Sequence, residues 1–142
     1  MRVRMPSTLK YIGVNAFMGC TALEEIEIPD SVEKIDGGAF KNCTWLQDLM
    51  LPQNLKVIGK EAFANCAMLP NLVCADGLET IGEQAFSNCW RMLSVSLPVS
   101  VTNIGDNAFV DCKRLTGLRA PTHIKSFATL FPSAYSNIST VV

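Results

Sequence analysis

The sequence predicts a solenoid of stacked coils, each of 23 residues and each carrying one short strand of a parallel ladder. Two observations carry that prediction. Phe17, Phe40, Phe63, Phe86 and Phe109 recur at a constant spacing of 23 residues, each preceded by an alanine (Ala16, Ala39, Ala62, Ala85, Ala108). Cys20, Cys43, Cys66, Cys89 and Cys112 keep the same step three residues later, with no insertion or deletion. A fixed period of this length marks an array in which each coil buries its apolar face against its neighbours.

Within a coil, the first element is the strand. Leu23, Leu46, Leu69, Met92 and Leu115 are followed by Ile26, Leu49, Leu72, Val95 and Leu118, then by Ile28, Leu51, Cys74, Leu97 and Ala120. That is Leu-x-x-Leu-x-Leu, the leucine-rich repeat signature. The last two apolar positions, two apart, share the inner face of a short strand and their neighbours face outward. Pro6, Pro29, Pro52, Pro98 and Pro121 come next, with Ala75 the exception; proline cannot donate to a ladder and ends the strand there.

The chain then returns across the core through Val32-x-x-Ile35 and its equivalents, the isoleucine column being Ile12, Ile35, Ile58, Ile81 and Ile104, continued by Phe127. Gly13, Gly59, Gly82 and Gly105 follow, with Asp36 departing in the second coil, and these positions are expected to take a left-handed turn. The next stretch, such as Glu83 to Cys89, spaces its apolar residues three and four apart, which predicts one short helical turn on the convex side. Alanine keeps that turn close to the core and phenylalanine fills it. Asn42, Asn65 and Asn88 are expected to close it by side-chain hydrogen bonding.

Composition narrows the function. The net charge is −1 and the pI about 5.8, so the basic footprint of a nucleic-acid binder is missing. Apolar residues make up 49%, yet no run approaches the roughly eighteen that would cross a bilayer. The opening Met1-Arg2-Val3-Arg4-Met5-Pro6 leads into no apolar core of a signal peptide.

Nor does a catalytic constellation emerge. The register cysteines would stack about 4.8 Å apart with parallel side chains, which suits neither disulfides nor a tetrahedral zinc site. Together with Cys74 they are read as buried thiols acting as small hydrophobes. His123 lies in the loop after Pro121 with no nucleophile or acid matched to it, and Gly37-Gly38 lacks the spacing of a phosphate loop. Asn42-Cys43-Thr44 and Asn137-Ile138-Ser139 match the N-glycosylation pattern, but Asn42 belongs to a structural column. The reading is non-enzymatic, with no cofactor and no metal.

What remains is the outward face of the strands, the concave face of such arrays and the usual place for a ligand. Its residues are Arg2 and Arg4, Glu25 and Glu27, Asp48 and Met50, Asn71 and Val73, Ser94 and Ser96, and Gly117 and Arg119. Six strands would span roughly 24 Å, the scale of a protein partner rather than a small molecule. Arg2 should lie beside Glu25 and Arg4 beside Glu27, with Glu25 beside Asp48 mildly repulsive. Trp45 and Trp90, between cysteine and strand, are read as covering gaps on the convex edge, with interface anchors as the rival reading.

Ile81-Gly82-x-x-Ala85-Phe86-x-Asn88-Cys89-x-x-Met92, with Leu97-Pro98 behind it, resembles the BspA-like leucine-rich repeat family over nearly the whole chain. The resemblance implies a right-handed, curved solenoid, α/β or mostly β, displayed on the cell surface or secreted, and adhesion through binding of host or neighbouring-cell surface or matrix proteins. A cytoplasmic address stays open, as does self-association through the end coils. A structural spacer within a larger protein, with no ligand of its own, is the alternative. The chain divides as one domain into five full coils (9–31, 32–54, 55–77, 78–100 and 101–123). A half coil, 1–8, begins inside a strand as though something preceded it. A degenerate coil, 124–142, is expected to be a C-terminal cap, with Leu130-Phe131-Pro132 replacing the Ala-Phe pair, Tyr135 at the cysteine position, and Ile138 and Val141 resuming the strand pattern.

Overall fold

The computed structural model describes residues 1–124 and 130–131. Each coil supplies two strands. The Leu-x-x-Leu-x-Leu segments form β2 (Glu25–Glu27), β4 (Asp48–Met50), β6 (Asn71–Val73), β8 (Ser94–Ser96) and β10 (Gly117–Arg119). The return segments form a second set, β1 (Tyr11–Ile12), β3 (Lys34–Ile35), β5 (Val57–Ile58), β7 (Thr80–Ile81) and β9 (Asn103–Ile104). The second set pairs in parallel through all five coils, in the order β1-β3-β5-β7-β9. Its register steps 23 residues each time, as in Ile35 opposite Ile58.

Inside the coils lies one continuous apolar core. Phe40, Phe63, Phe86 and Phe109 are fully buried, and the phenylalanine rings stack nearly parallel along the axis, centroids 5.1 to 5.4 Å apart from Phe17 to Phe109. The shift of the last phenylalanine by one residue does not break the column. Phe131 is buried and its ring lies 4.7 Å from that of Phe109. Phe127, Pro132, Tyr135, Ile138 and Val141, and with them most of the expected cap, lie outside the described residues, as does Asn137.

The stretch between isoleucine and cysteine is not the helical turn that the sequence predicts. Asn15, Gly38, Glu61, Gln84 and Asn107 take left-handed φ of 53 to 67°, and Gly19, Asn42, Asn65, Asn88 and Asp111 do so again four residues on, at 57 to 74°. Two such residues per turn preclude a right-handed helix. Consecutive tight turns replace it, with bonds such as Ala62 N–H to Gly59 O and Ala64 N–H to Glu61 O. The spare amides bond between coils, Phe40 N–H to Ala62 O at 2.7 Å and Phe63 N–H to Ala85 O at 2.8 Å.

The glycine column is also corrected. Gly59, Gly82 and Gly105 do not take positive φ; they are needed because a Cβ there would meet the backbone of the preceding coil at 2.7, 2.5 and 2.2 Å. Gly13, in the first coil, meets nothing. Close approach, not handedness, selects the residue. The asparagines do hydrogen-bond, though along the axis rather than within their own turns: Asn65 Nδ2 donates to Asn42 Oδ1 at 2.7 Å and Asn88 Nδ2 to Asn65 Oδ1 at 2.9 Å.

The Leu-x-x-Leu-x-Leu ladder is interrupted, where the sequence predicts one ladder throughout. β2 pairs only with β4, and β6, β8 and β10 form a separate sheet. Glu24 O accepts from Gln47 N–H (2.9 Å) and Asp48 N–H (3.1 Å), and Leu93 O likewise from Thr116 and Gly117 N–H (both 3.0 Å). At the equivalent step Pro70 has no N–H to give to Gln47 O. β4 and β6 do not hydrogen-bond and approach each other far less closely than the other neighbours do. The other two sides of these coils stay joined, through Phe40 N–H to Ala62 O and Gly59 N–H to Ile35 O. The opening leaves Leu49 and Leu51 half-buried, whereas Ile26, Leu72, Val95 and Leu118 are buried.

Candidate functional site

Period-two alternation puts the candidate residues where the columns predict. In β2, β4 and β6 the middle residue turns inward and Glu25, Glu27, Asp48, Met50, Asn71 and Val73 are exposed. Glu25 stands opposite Asp48, and Glu27 opposite Met50. Beyond the interruption, Asn71 and Val73 stand opposite Ser94 and Ser96, which in turn face Gly117 and Arg119. Ser94, Ser96 and Gly117 are half-buried, and Arg119 is exposed.

Before β2, residues 1–6 form no paired strand. Arg2 and Arg4 are nevertheless exposed while Val3 and Met5 pack on the core, so the alternation persists without the ladder. Of the two expected ion pairs, Arg2 Nε lies 3.8 Å from Glu25 Oε1, both side chains being largely exposed. Among the described residues Arg4 makes no ion pair, so the Arg4–Glu27 pair is not formed. Screening by water keeps such surface contacts weak. Arg2, Arg4, Glu25, Glu27, Asp48 and Met50 surround a shallow depression of about 490 Å³.

Glu25, Glu27 and Asp48 therefore make the near end of the face acidic, even with Arg2 and Arg4 beside them. Asn71, Ser94 and Ser96 make the far end neutral up to Arg119. The middle is apolar: Met50 is 70% exposed and Val73 71%. The face is graded along the axis.

Trp45 and Trp90 are each more than half exposed, a weak way to cover a gap. Trp45 heads a row that continues in register through Met68, Arg91 and Arg114 beside the strand starts, with Arg91 Nη1 3.4 Å from Met68 Sδ. This row was legible as a 23-residue column, and the outward-strand rule passed over it because it precedes the strand. A second overlooked column, Lys10, Glu33, Lys56 and Glu79, alternates charge beside the second sheet. Lys10 Nζ at 3.0 Å from Glu33 Oε1 holds the Glu33 carboxyl below its usual range.

The cysteines carry structure. Cys43, Cys66, Cys89 and Cys112 are buried free thiols, and each donates to the phenylalanine carbonyl of the coil before, from Cys43 Sγ to Phe17 O at 3.1 Å to Cys112 Sγ to Phe86 O at 3.3 Å. Burial pushes Cys43 up to about 11, and Cys74 and Cys112 to about 12. Such thiols are poor nucleophiles and poor metal ligands. Among the described residues no cluster of His, Cys, Asp and Glu fits a metal ion, and no helix is long and apolar enough to cross a membrane. His123 sits in a surface turn with its Nε2 2.7 Å from Val101 O, repeating the contact of Ser100 Oγ with Leu78 O one coil earlier.

This architecture has relatives among solved structures. The leucine-rich repeat protein of T. pallidum superposes with a TM-score of 0.88 at 33% identity, over 99% of this chain and 68% of its own. A leucine-rich repeat protein from Bacteroides ovatus gives 0.76 at 28% identity, over 88% of this chain and 41% of its own. A leucine-rich cell surface protein from Faecalibacterium prausnitzii gives 0.60 at 29%, over 82% of this chain and 38% of its own. No curated protein sequence matches significantly. The family profile described as "BspA type Leucine rich repeat region" matches six copies across residues 2–140. With the period, the strand register and the phenylalanine column all agreeing, the chain belongs to the BspA-type leucine-rich repeat family.

Proposed function

We propose that this chain is a non-enzymatic protein-interaction module of a cell-surface or secreted protein, and that it docks a protein partner on the outward face of its Leu-x-x-Leu-x-Leu strands. One observation carries the reading. Exposed Met50 and Val73 sit at the centre of a face whose surroundings are charged and polar, with Glu25, Glu27 and Asp48 on one side and Arg119 on the other. An apolar centre with a polar rim is how protein interfaces are usually built. The shallowness of the depression beside Asp48 favours a macromolecule over a small ligand. The cell-surface description of the Faecalibacterium relative supports the address.

Charge reversal at Glu25, Glu27 and Asp48 tests it. The triple variant should lose about tenfold or more in affinity for a protein partner isolated with the wild-type chain, with the on-rate and its salt dependence changing most. Unchanged affinity would move the site to the turn side or the coil edges. If no partner is recovered and the solenoid serves only to separate its neighbours, the chain is a spacer.

A further inference from the structure

The interruption between β4 and β6 combines three features that occur together nowhere else on the strand face among the described residues. The first is an unused acceptor: Gln47 O receives neither of the two amide bonds that its equivalents Glu24 O and Leu93 O receive. The second is apolar surface. Leu49 and Leu51 are half-buried at the opening, and Met50 and Val73 stand exposed on its two sides. The third is charge. At the strand starts a depression of about 490 Å³ is lined by Asp48, Met68, Pro70, Arg91, Leu93 and Arg114. Both guanidinium groups there lack a carboxylate partner among the described residues.

We propose that this opening is a strand-addition site for an extended segment of a partner protein, one with apolar side chains at alternate positions and a carboxylate at the end nearest Met68. The proposal rests on the protein-interaction reading above and specifies the partner's chemistry. Main-chain amides of the segment bond to the free edge of β4, beginning at Gln47 O, which is how an exposed sheet edge recruits a strand. Alternate side chains then fall on Leu49 and between Met50 and Val73, as the pleat requires. Arg91 and Arg114 receive the carboxylate through charge-assisted bonds, two cations against the single carboxylate of Asp48 in the same depression. Pro70 favours the free edge by removing one of the two amides that meet this acceptor in the other coils, and Asn71 N–H, the second, does not reach Gln47 O either.

The test uses fluorescein-labelled Asp-Asp-Val-Thr-Val-Thr-Val, its Lys-Lys counterpart, and a version N-methylated at alternate amides, each titrated by anisotropy against the whole chain. The Asp-Asp peptide should bind saturably. The other two should bind about tenfold more weakly or worse, as should the Asp-Asp peptide to Arg91→Glu/Arg114→Glu. Pro70→Thr, copying Thr116, should restore the ladder and abolish binding, and Pro70→Ala should act the same way. Amide exchange at Leu49, whose N–H faces the opening, should slow when the peptide is added to wild type.

Equal binding of the N-methylated or Lys-Lys peptide overturns the proposal. So does undiminished binding by the Pro70 variants, or no binding of the Asp-Asp peptide. A concentration-dependent dimer that Pro70→Thr dissolves would place a second copy in the opening and also overturn it. A protein partner sensitive to reversal of Glu25 and Glu27 but indifferent to Pro70→Thr would remove this site and leave the wider reading standing.

Discussion

The turn side and the strand face of each coil are built from the same 23-residue period, yet they tolerate different things. On the turn side the phenylalanine, cysteine, asparagine and glycine columns are committed along the axis. Phenylalanine stacks on phenylalanine, each of four thiols bonds to the phenylalanine carbonyl of the coil before, asparagine amides run in a ladder, and the glycines of the third to fifth coils let one backbone lie on the next. On the strand face only the inward residue is committed. The outward residues change from Glu25 to Asp48, Asn71, Ser94 and Gly117 without disturbing the pairing within either sheet. The turn side is therefore where the fold is specified, and the strand face is where composition is free to serve recognition. That freedom extends to the ladder itself, which is interrupted at Pro70 while the turn side stays bonded.

The largest effects should come from breaking the turn side. Phe63→Ala removes a fully buried ring stacked at 5.1 and 5.2 Å on its two neighbours and should cost about 3–5 kcal/mol, measured by urea unfolding. Gly82→Ala adds a single methyl, yet its Cβ would lie 2.5 Å from Lys60 N, and backbone cannot step aside as a side chain can. A loss of about 1–3 kcal/mol is expected, the range for overpacking. Gly13→Ala is the control, because nothing lies within 4 Å of its Cβ. If Gly82→Ala and Gly13→Ala cost the same, close approach is not what selects the glycine column.

A smaller effect follows from the buried thiols. Cys43, Cys74 and Cys112 ionise near 9 when unfolded but near 11, 12 and 12 when folded, because burial penalises the thiolate. Above pH 9 the unfolded chain therefore binds fewer protons than the native one, so stability falls as pH rises. Their contribution is fully present below pH 9 and is lost progressively through pH 11 to 12. Urea midpoints at pH 8 and pH 10 should show the decline, and replacing all three cysteines with alanine should reduce it, the remainder coming from Cys66 and Cys89, which burial also pushes up. At pH 8 the same three thiols should react slowly with a soluble disulfide reagent in the native state and fast in urea; rapid native labelling would mean that the column opens.

What could be read from the sequence follows the same division. The columns of Phe17, Cys20 and Ile12 announce the period directly, and the outward positions of β2 to β10 follow from counting by two. What escaped was whatever depends on the gap between coils rather than on the residue itself. Glycine at 59, 82 and 105 looks like a turn residue until the neighbouring backbone is in place, and the asparagine amides look local until the next coil supplies their partner. The apolar spacing of Ala85, Phe86 and Cys89 suits a helix as well as it suits two tight turns, and the left-handed residues that decide between them include Glu61 and Gln84, which rarely signal such a turn. The second sheet was hidden because two residues per strand carry no alternation. Pro70 was visible, but it stands one residue before a strand, where proline usually does no harm.

The smallest effects on stability should come from the strand face, and their smallness is what would establish its freedom. Glu27→Ala, Asn71→Ala and Val73→Ser each change an exposed side chain that the core does not touch. Each should alter stability by no more than about 0.5 kcal/mol. Val73→Ser is the sharpest of the three: the residue is 71% exposed, so little apolar burial is lost, and Ser matches Ser96 beside it in the ladder. If that change instead cost as much as Gly82→Ala, Val73 would be sealing the opening beside β4. The apolar centre of the face would then be serving the fold, and a partner would have to be sought on residues that the fold does not use.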